Sequence, residues 1–372
     1  MDIITEDMIK QFQTLIEQID EPLSITFKTI HQGYPTETLV RFLKARDGNV
    51  SKAHRMLVDC LNWRIQNEID NILAKPIIPS DLYRAVRDSQ LIGMSGYSKE
   101  AGEVDHCGNK ILISEKDCSL VMICCYSVLS PCNHFQGLPV IAVGVGLSTF
   151  DKASVHYYVQ SHIQMNEYRD RVILPAATKK FGRHIGTCVK VLDMTGLKLS
   201  ALNQVKLLTV ISTIDDLNYP EKTDTYYVVN APYIFSACWK VVRPLLHQRT
   251  RNRVQVLPGS GRDELLAIMD YASLPHFCRR EGSGSARHSG NGMTDNCFSF
   301  DHVFHQQLYN YIKQQAVLVE APIRQGSVHV DFPEPDPEDA KIAETIESEF
   351  QRLEDHQNGL SKSNSNHRMN GD

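Results

Sequence analysis

An α/β protein built on a mainly parallel sheet is what this sequence predicts, and three observations carry the prediction. Three short β-branched runs, Val189 to Leu192, Tyr226 to Asn230 and Val254 to Leu257, stand between turn residues in the stretch that ends at Gly259. The segments between them are helix-length, which gives the order β-α-β-α-β and therefore parallel neighbours. Ahead of this block the apolar residues keep a helical rather than an alternating period, so a helical N-terminal subdomain comes first.

In chain order, Ile9 to Ile19 has helical spacing in Ile9, Phe12, Ile16 and Ile19. A second helix opens at Thr36 or Thr38 and runs through Leu39, Phe42 and Leu43. After the Asp47-Gly48 turn, Ser51 is the expected N-cap of a helix carrying Ala53, Met56, Leu57, Cys60, Leu61 and Ile65 on one face, with Trp63 packing in the core. Leu82 to Leu91 continues helical, Ile92 to Glu100 turns toward a strand, and Val140 to Val145 is the next strand. Val155 to Arg171 reads as a long helix and Leu174 to Ile185 as a linker. Ser200 to Leu217 is a helix capped by Ser200 that buries Leu202, Val205 and Leu208. Arg262 to Tyr271 is a short helix, the Gly/Ser-rich 281–292 a flexible connector, and Phe304 to Val319 a helix that docks back on the body. Asp331 to Pro337 is a proline-spaced acidic linker. Ala340 to Leu353 is an acidic amphipathic helix, either a solvated tail or a lid or partner-docking segment, and the Ser/Asn-rich end reads as disordered.

Composition narrows the function. The 42% hydrophobic content supports a real core, and the longest apolar run, Leu120 to Leu129, is about half of the roughly 20 residues a membrane span needs. The acidic N-terminus is unlike a secretory signal, so a cytoplasmic protein is expected. Ten cysteines include no CxxC pair and no metal-type Cys/His array. Residues 331–372 hold 11 acids against 4 bases, leaving a near-neutral body, which argues against nucleic acid as a partner. No P-loop, no GxGxxG after a strand and no GxSxG elbow is present. An enzyme would have to be built on Asp193 with His184 or His162, and no Ser or Cys stands in a nucleophile context. The module reads as one that holds something.

Four motifs then act together: Leu192 to Gly196 (LDMTG), Asn218 to Lys222 (NYPEK), Val229 to Pro232 (VNAP) and the helix end from Trp239 to Pro244. Their order and wording resemble the CRAL-TRIO lipid-binding family, in its phosphatidylinositol-transfer branch. The stretch LVRFLKARDGNVSKAHRMLVDCLNWR resembles the helical subdomain that precedes that family's lipid-binding domain. The resemblance implies a helical subdomain at 1–80 and a lipid-binding domain at 81–282, whose sheet and helices enclose a hydrophobic lipid pocket. A linker and docking helix at 283–320 and an acidic, largely disordered tail at 321–372 complete the chain.

The expected ligand is phosphatidylinositol with a second lipid besides, and no cofactor other than bound phospholipid. The expected protein is a monomer that transfers or presents lipid while touching membranes transiently; a non-transferring sensor, or a carrier of another hydrophobic ligand, is the alternative. Two acyl chains of roughly 16 carbons represent about 25 kcal/mol at about 0.8 kcal/mol per CH₂, so the cavity must close. By resemblance the gate is Tyr233 to Leu246, with Ile234, Phe235, Trp239, Val241 and Val242 against lipid. Arg243, Arg249, Arg251 and Arg253 follow it and suit anionic headgroups. Glu221 and Arg253 match the family's inositol-phosphate contacts, although lysine is the family's commoner residue at the second position. Lys190 joins them as a headgroup candidate. It stands with Cys188 where phosphatidylcholine-exchanging members carry small hydroxyl residues, so unless Lys190 points out of the cavity the second lipid is not phosphatidylcholine.

Residues 101–136 interrupt this pattern. They hold five of the ten cysteines, show neither helical nor alternating period, and separate GYSKE from GLPVIAVGVG, which join smoothly without them. A translated retained intron would leave such a segment; an insertion in an exposed loop is the competing reading.

Overall fold

The computed structural model describes residues 4–99, 137–198, 204–246, 248–279, 295–319, 326–335 and 337–367. The 101–136 segment, the 281–292 connector, Ser200 and Leu202 lie outside the described residues. The chain opens with α1 (Glu6–Ile16), α2 (Glu21–His31), α3 (Pro35–Ala45) and α4 (Val50–Gln66). They close on a shared core of Phe12, Leu39, Phe42, Leu43, Leu57 and Leu61. α2 has no counterpart in the sequence reading, because only Thr26 and Phe27 of its residues are buried and no apolar stripe results. The cap of α4 is Asn49 rather than Ser51: its side chain accepts from the Lys52 amide at 2.9 Å as the chain leaves the positive-φ Gly48 turn. Ile65 is 43% exposed, because the buried stripe of α4 ends on Arg64 instead.

After α5 (Ser80–Ser89) come β1 (Ile92–Tyr97) and β2 (Pro139–Gly144), an antiparallel pair. The two flanks of the 101–136 segment meet: Gly137 donates to the Lys99 carbonyl at 3.2 Å and Ser98 to that of Leu138 at 2.8 Å, so the chain re-enters the sheet where it left. β3 (Cys188–Asp193), β4 (Thr223–Val229) and β5 (Val254–Val256) then add in sequence order, all parallel, as the β-α-β-α-β pattern requires. Asn230 falls outside β4, in a left-handed turn with φ 52°. Between β2 and β3 runs α6 (Val155–Tyr168), which passes through a π turn at Arg169–Ile173 directly into α7 (Leu174–Phe181). The predicted linker at 174–185 is therefore mostly helix. Pro175 falls just after this π turn, where the register of the backbone hydrogen bonds has shifted.

α8 (Val205–Asn218) connects β3 to β4, and α9 (Tyr233–Val242) with α10 (Gln248–Arg253) connects β4 to β5. α11 (Arg262–Ile268) follows, and α12 (Val303–Leu318) docks through Phe304, Leu308 and Ile312 onto the core that also holds Tyr158 and Ile163 of α6. Trp63 packs at the edge of this same cluster, and its indole N–H donates to the Asp331 carbonyl. The final helix, α13 (Pro337–His367), packs against α8 and α9 and buries Phe350. Within the 321–372 region, whose composition suggests disorder, the described residues 337–367 are helical.

The sheet has two unlike faces. Val140, Ala142, Val189, Val191, Tyr227 and Val229 point into a solid core with α7 and α11. Their neighbours Ile141, Val143, Cys188, Lys190, Leu192 and Tyr226 point the other way, where the space is open.

Candidate functional site

That open face is the floor of a cavity of about 280 Å³, walled by α6 and its π turn and by α8. Ile141 is paired in register with Lys190, Lys190 with Tyr226, and Val143 with Leu192, so the floor is a block of adjacent side chains. From α6 come His162, Met165 and Asn166, from its π turn Arg169 and Ile173, and from α8 Leu208, Ile211 and Asp215. Leu208, which the sequence assigns to the buried stripe, is 38% exposed because its side of α8 lines this space; Leu207 and Ile214 take the core positions.

Polar groups gather at one end. Asp215 accepts from Asn166 at 2.7 Å, pairs with His162 at 2.7 Å and faces Lys190 at 3.8 Å. Burial opposes the charge on Asp215, yet His162, Lys190 and Arg169 hold its carboxyl well below the usual range. Lys190 points into the cavity, not away from it, with its side chain 18% exposed. Burial would lower its pKa, but Tyr226 and Asp215 raise it, so it stays protonated. Next to it Asp170 pairs with Arg169 at 2.7 Å and with Lys222 at 3.1 Å.

Lys222 is the weak point of this cluster, because burial first and then the Arg41 guanidinium bring its pKa down to about 7 despite Asp170. From about pH 7 up to the usual lysine value near 10.4 the unfolded chain binds this proton and the folded chain does not. Stability is therefore expected to rise with pH across that window, by up to about 1.4 kcal/mol per unit. Urea unfolding of the wild type and of Lys222→Met at a series of pH values tests this, and an equal slope in both would refute it.

A second, wider cavity of about 590 Å³ adjoins the first and shares Arg169, Lys190, Asp215, Asp216 and Tyr226 with it. Its wall is mostly polar and carries seven bases against four acids, which suits an anion. Glu221 is at its centre. Its carboxylate pairs with Arg253 and, at 3.3 Å, with Arg249, which reaches back to Asp47 of the N-terminal subdomain. Glu221 also has φ 60°, a conformation that costs a side-chain-bearing residue about 1–2 kcal/mol. The Asn218-to-Lys222 turn holds it there, with the Pro220 carbonyl accepting from Arg41 at 3.0 Å.

The remaining motifs are structural. Asp193 accepts from the Thr195 amide and hydroxyl and from the Asn230 side chain at 2.8 Å, which ties the LDMTG turn to the VNAP turn. A Cβ on Gly146 would sit 2.3 Å from the Thr195 carbonyl, so only glycine lets the loop after β2 close on that turn. His162 is engaged by Asp215, and His184 stacks on Tyr34 with ring centroids 3.9 Å apart, so neither of them bonds Asp193.

The family description "CRAL/TRIO domain" matches residues 136–278, and "CRAL/TRIO, N-terminal domain" matches residues 8–59, together more than half of the chain. The chain belongs to the CRAL/TRIO family. Similar proteins include the phosphatidylinositol/phosphatidylcholine transfer protein SFH9 of Arabidopsis thaliana, 25% identical over 72% of this chain and 40% of that protein. The SEC14 cytosolic factor of Eremothecium gossypii is 25% identical over 64% of this chain and 67% of that protein. The chain thus spans well under half of the first relative and about two thirds of the second. Among solved structures, the crystal structure of Sfh5 superposes with a TM-score of 0.50 at 15% identity, covering 86% of this chain and 100% of that one, which shows the shared fold.

In this CRAL/TRIO chain the structure brings Glu221, Arg253 and Lys190 into one connected polar wall, with Arg169, Arg249 and Lys222 beside them. Arg249 is one of the arginines that the sequence offers for anionic headgroups and Lys222 closes the NYPEK motif, whereas Arg169, in the π turn after α6, is announced by no local spacing. The proposed gate residues stand apart. Ile234, Phe235, Trp239, Val241 and Val242 are on α9 as expected, but none of them lines either cavity. Phe235 and Trp239 stack on each other at 6.0 Å, Val242 is buried, and α9 packs against α13. Among the described residues no helix is long and apolar enough to cross a membrane, and no cluster of His, Cys, Asp and Glu suits a metal.

Proposed function

We propose that this protein binds phosphatidylinositol, with acyl chains over the sheet face that carries Ile141, Val143 and Leu192 and the inositol phosphate at Glu221 and Arg253. It carries or presents that lipid between membranes in support of phosphoinositide signalling and trafficking. The working form is a cytosolic monomer that meets membranes transiently and needs no cofactor besides the lipid.

The observation that carries this reading is the junction of an apolar cavity with a basic one across Arg169, Lys190 and Tyr226, the basic one holding a strained glutamate between two arginines. Both chemical halves of a phospholipid are provided for on either side of Lys190 and Tyr226. A guanidinium binds phosphate bidentately, and a carboxylate accepts from inositol hydroxyls while orienting the guanidinium. The names of the Arabidopsis and Eremothecium relatives point to the same ligand and the same compartment.

Glu221→Ala and Arg253→Ala are each expected to reduce phosphatidylinositol loading from vesicles by about tenfold or more, since a hydrogen bond to a charged group contributes about 1.5–3 kcal/mol. Mass spectrometry of lipid bound to the re-isolated protein reads the effect. Wild-type loading by both variants would remove the headgroup assignment.

A further inference from the structure

The wall shared by the two cavities contains a cation that the described residues leave incompletely paired. Arg169 is 5% exposed; its Nε donates to Asp170 at 2.7 Å and its Nη1 to the Asn166 side-chain oxygen at 2.9 Å. Its Nη2 is buried and has no hydrogen-bond partner among the described residues, although the guanidinium stands 5.8 Å from the centroid of the Tyr219 ring. An unpaired buried N–H on a guanidinium is costly, and such groups in folded proteins usually meet a partner. Lys190, from the sheet floor opposite, borders the same two spaces.

Charge and shape agree on what fits. Arg41, Arg169, Lys190 and Lys222 form one electrostatic group opposed by Asp170, by Asp215 and, at Arg41, by Glu221; Asp216 lines both spaces as well, and Asp215 is already engaged by His162 and Asn166. A quaternary ammonium would need an aromatic face. The face of Tyr226, on the same floor, already holds the Lys190 ammonium 5.6 Å from its centroid.

We propose that Arg169 and Lys190 form an interior subsite for the phosphate of a phospholipid whose headgroup is net negative, and that this subsite excludes phosphatidylcholine. The proposal rests on reading the cavity as a phospholipid site and adds the class of its second lipid. Placed there, the phosphate sits between the Arg169 guanidinium and the Lys190 ammonium, while a choline group would stand next to two fixed cations.

The test offers the full chain vesicles of phosphatidylethanolamine carrying equal mole fractions of phosphatidic acid, phosphatidylcholine and phosphatidylinositol, and reads bound lipid by mass spectrometry. The wild type is expected to take phosphatidic acid over phosphatidylcholine by about tenfold or more, the range of one charge-assisted hydrogen bond. Lys190→Met, which keeps side-chain length, should bring the two to parity, and Lys190→Arg should keep the preference. Parity in the wild type overturns the proposal even if Lys190→Met fails to fold, and an unchanged preference in a folded Lys190→Met overturns it as well. Inorganic phosphate in a thermal shift identifies the source: a rise in Tm in the wild type and not in Lys190→Met, without phosphatidic acid loading, would assign the site to a free anion and overturn the lipid reading. Phosphatidylinositol offered alone, in separate vesicles, reports the Glu221–Arg253 site. Its absence alongside an intact phosphatidic acid preference would count against the proposed function while leaving this subsite standing.

Discussion

Glu167→Ala is expected to destabilise the fold by about 3–5 kcal/mol, the cost of leaving a buried charge without its partner. Glu167 of α6 is 2% exposed and accepts from both terminal nitrogens of Arg64, at 2.7 and 2.9 Å, from the Tyr219 hydroxyl at 2.7 Å and from Arg171 at 2.6 Å. Burial acts against its charge, but Arg64 and Arg171 hold its carboxyl below the ordinary value. Arg64 belongs to α4, so this network, with Asp70 completing it at 2.6 Å, bolts the N-terminal subdomain to the sheet-bearing body. Removing the carboxylate leaves Arg64 facing Arg171 with only Asp70 between them. Against a total stability of about 5–15 kcal/mol the loss is a large fraction. Urea unfolding measures it, and a change under about 1 kcal/mol, the worth of an exposed ion pair, would show that the network carries little. The same depressed pKa makes the stabilisation complete above the ordinary glutamate range and lost progressively as pH falls through the folded value.

A chain ending at Pro335 is expected to exchange lipid faster than the full chain, by about tenfold to a hundredfold. α13 covers α9, the helix on which the gate reading places Ile234, Phe235 and Trp239, and it buries Phe350 in doing so. The contact is close enough that burial first and then the Glu349 carboxylate push the Cys238 thiol up to about 11. Tyr233, at the start of α9, is 80% exposed, so the cover is incomplete at that end. Fully burying a phenylalanine side chain contributes about 1.5–3 kcal/mol, and removing it raises the undocked population by the corresponding factor. Transfer of a fluorescent phosphatidylinositol between vesicles compares the two chains, with Phe350→Ala as a point substitution acting in the same direction. Equal rates for all three would mean that α13 does not restrain α9.

Much of this architecture is legible in the sequence because it is local. Strand runs, helix-length spacers and the turn residues of LDMTG, NYPEK and VNAP each report a backbone geometry within a few residues. Glu221 and Arg253 are singled out by their match to the family's motif, at the NYPEK turn and just ahead of β5, rather than by any local spacing. The misses share a cause as well. Asn49 and Ser51 are both competent caps, and only the exit geometry of Gly48 chooses between them. Leu174 to Phe181 reads as a linker because a π turn lets the helix continue where spacing loses its phase.

What tertiary structure alone decides is which distant groups meet and which face of an element is wet. β3 is a central strand enclosed on both sides, so its near-continuous apolar run cannot tell the solid face of Val189 and Val191 from the open face of Lys190 and Leu192. The sequence determines that a lysine stands on that strand; only the register with Ile141 and Tyr226, and the packing of α6 and α8 above it, puts its ammonium inside a cavity beside Arg169 and Asp215. Arg64 with Glu167, and α13 on α9, are likewise pairings across the chain. Periodicity records how each segment faces its own surroundings, while a contact between two segments depends on both and on the space that a third leaves between them.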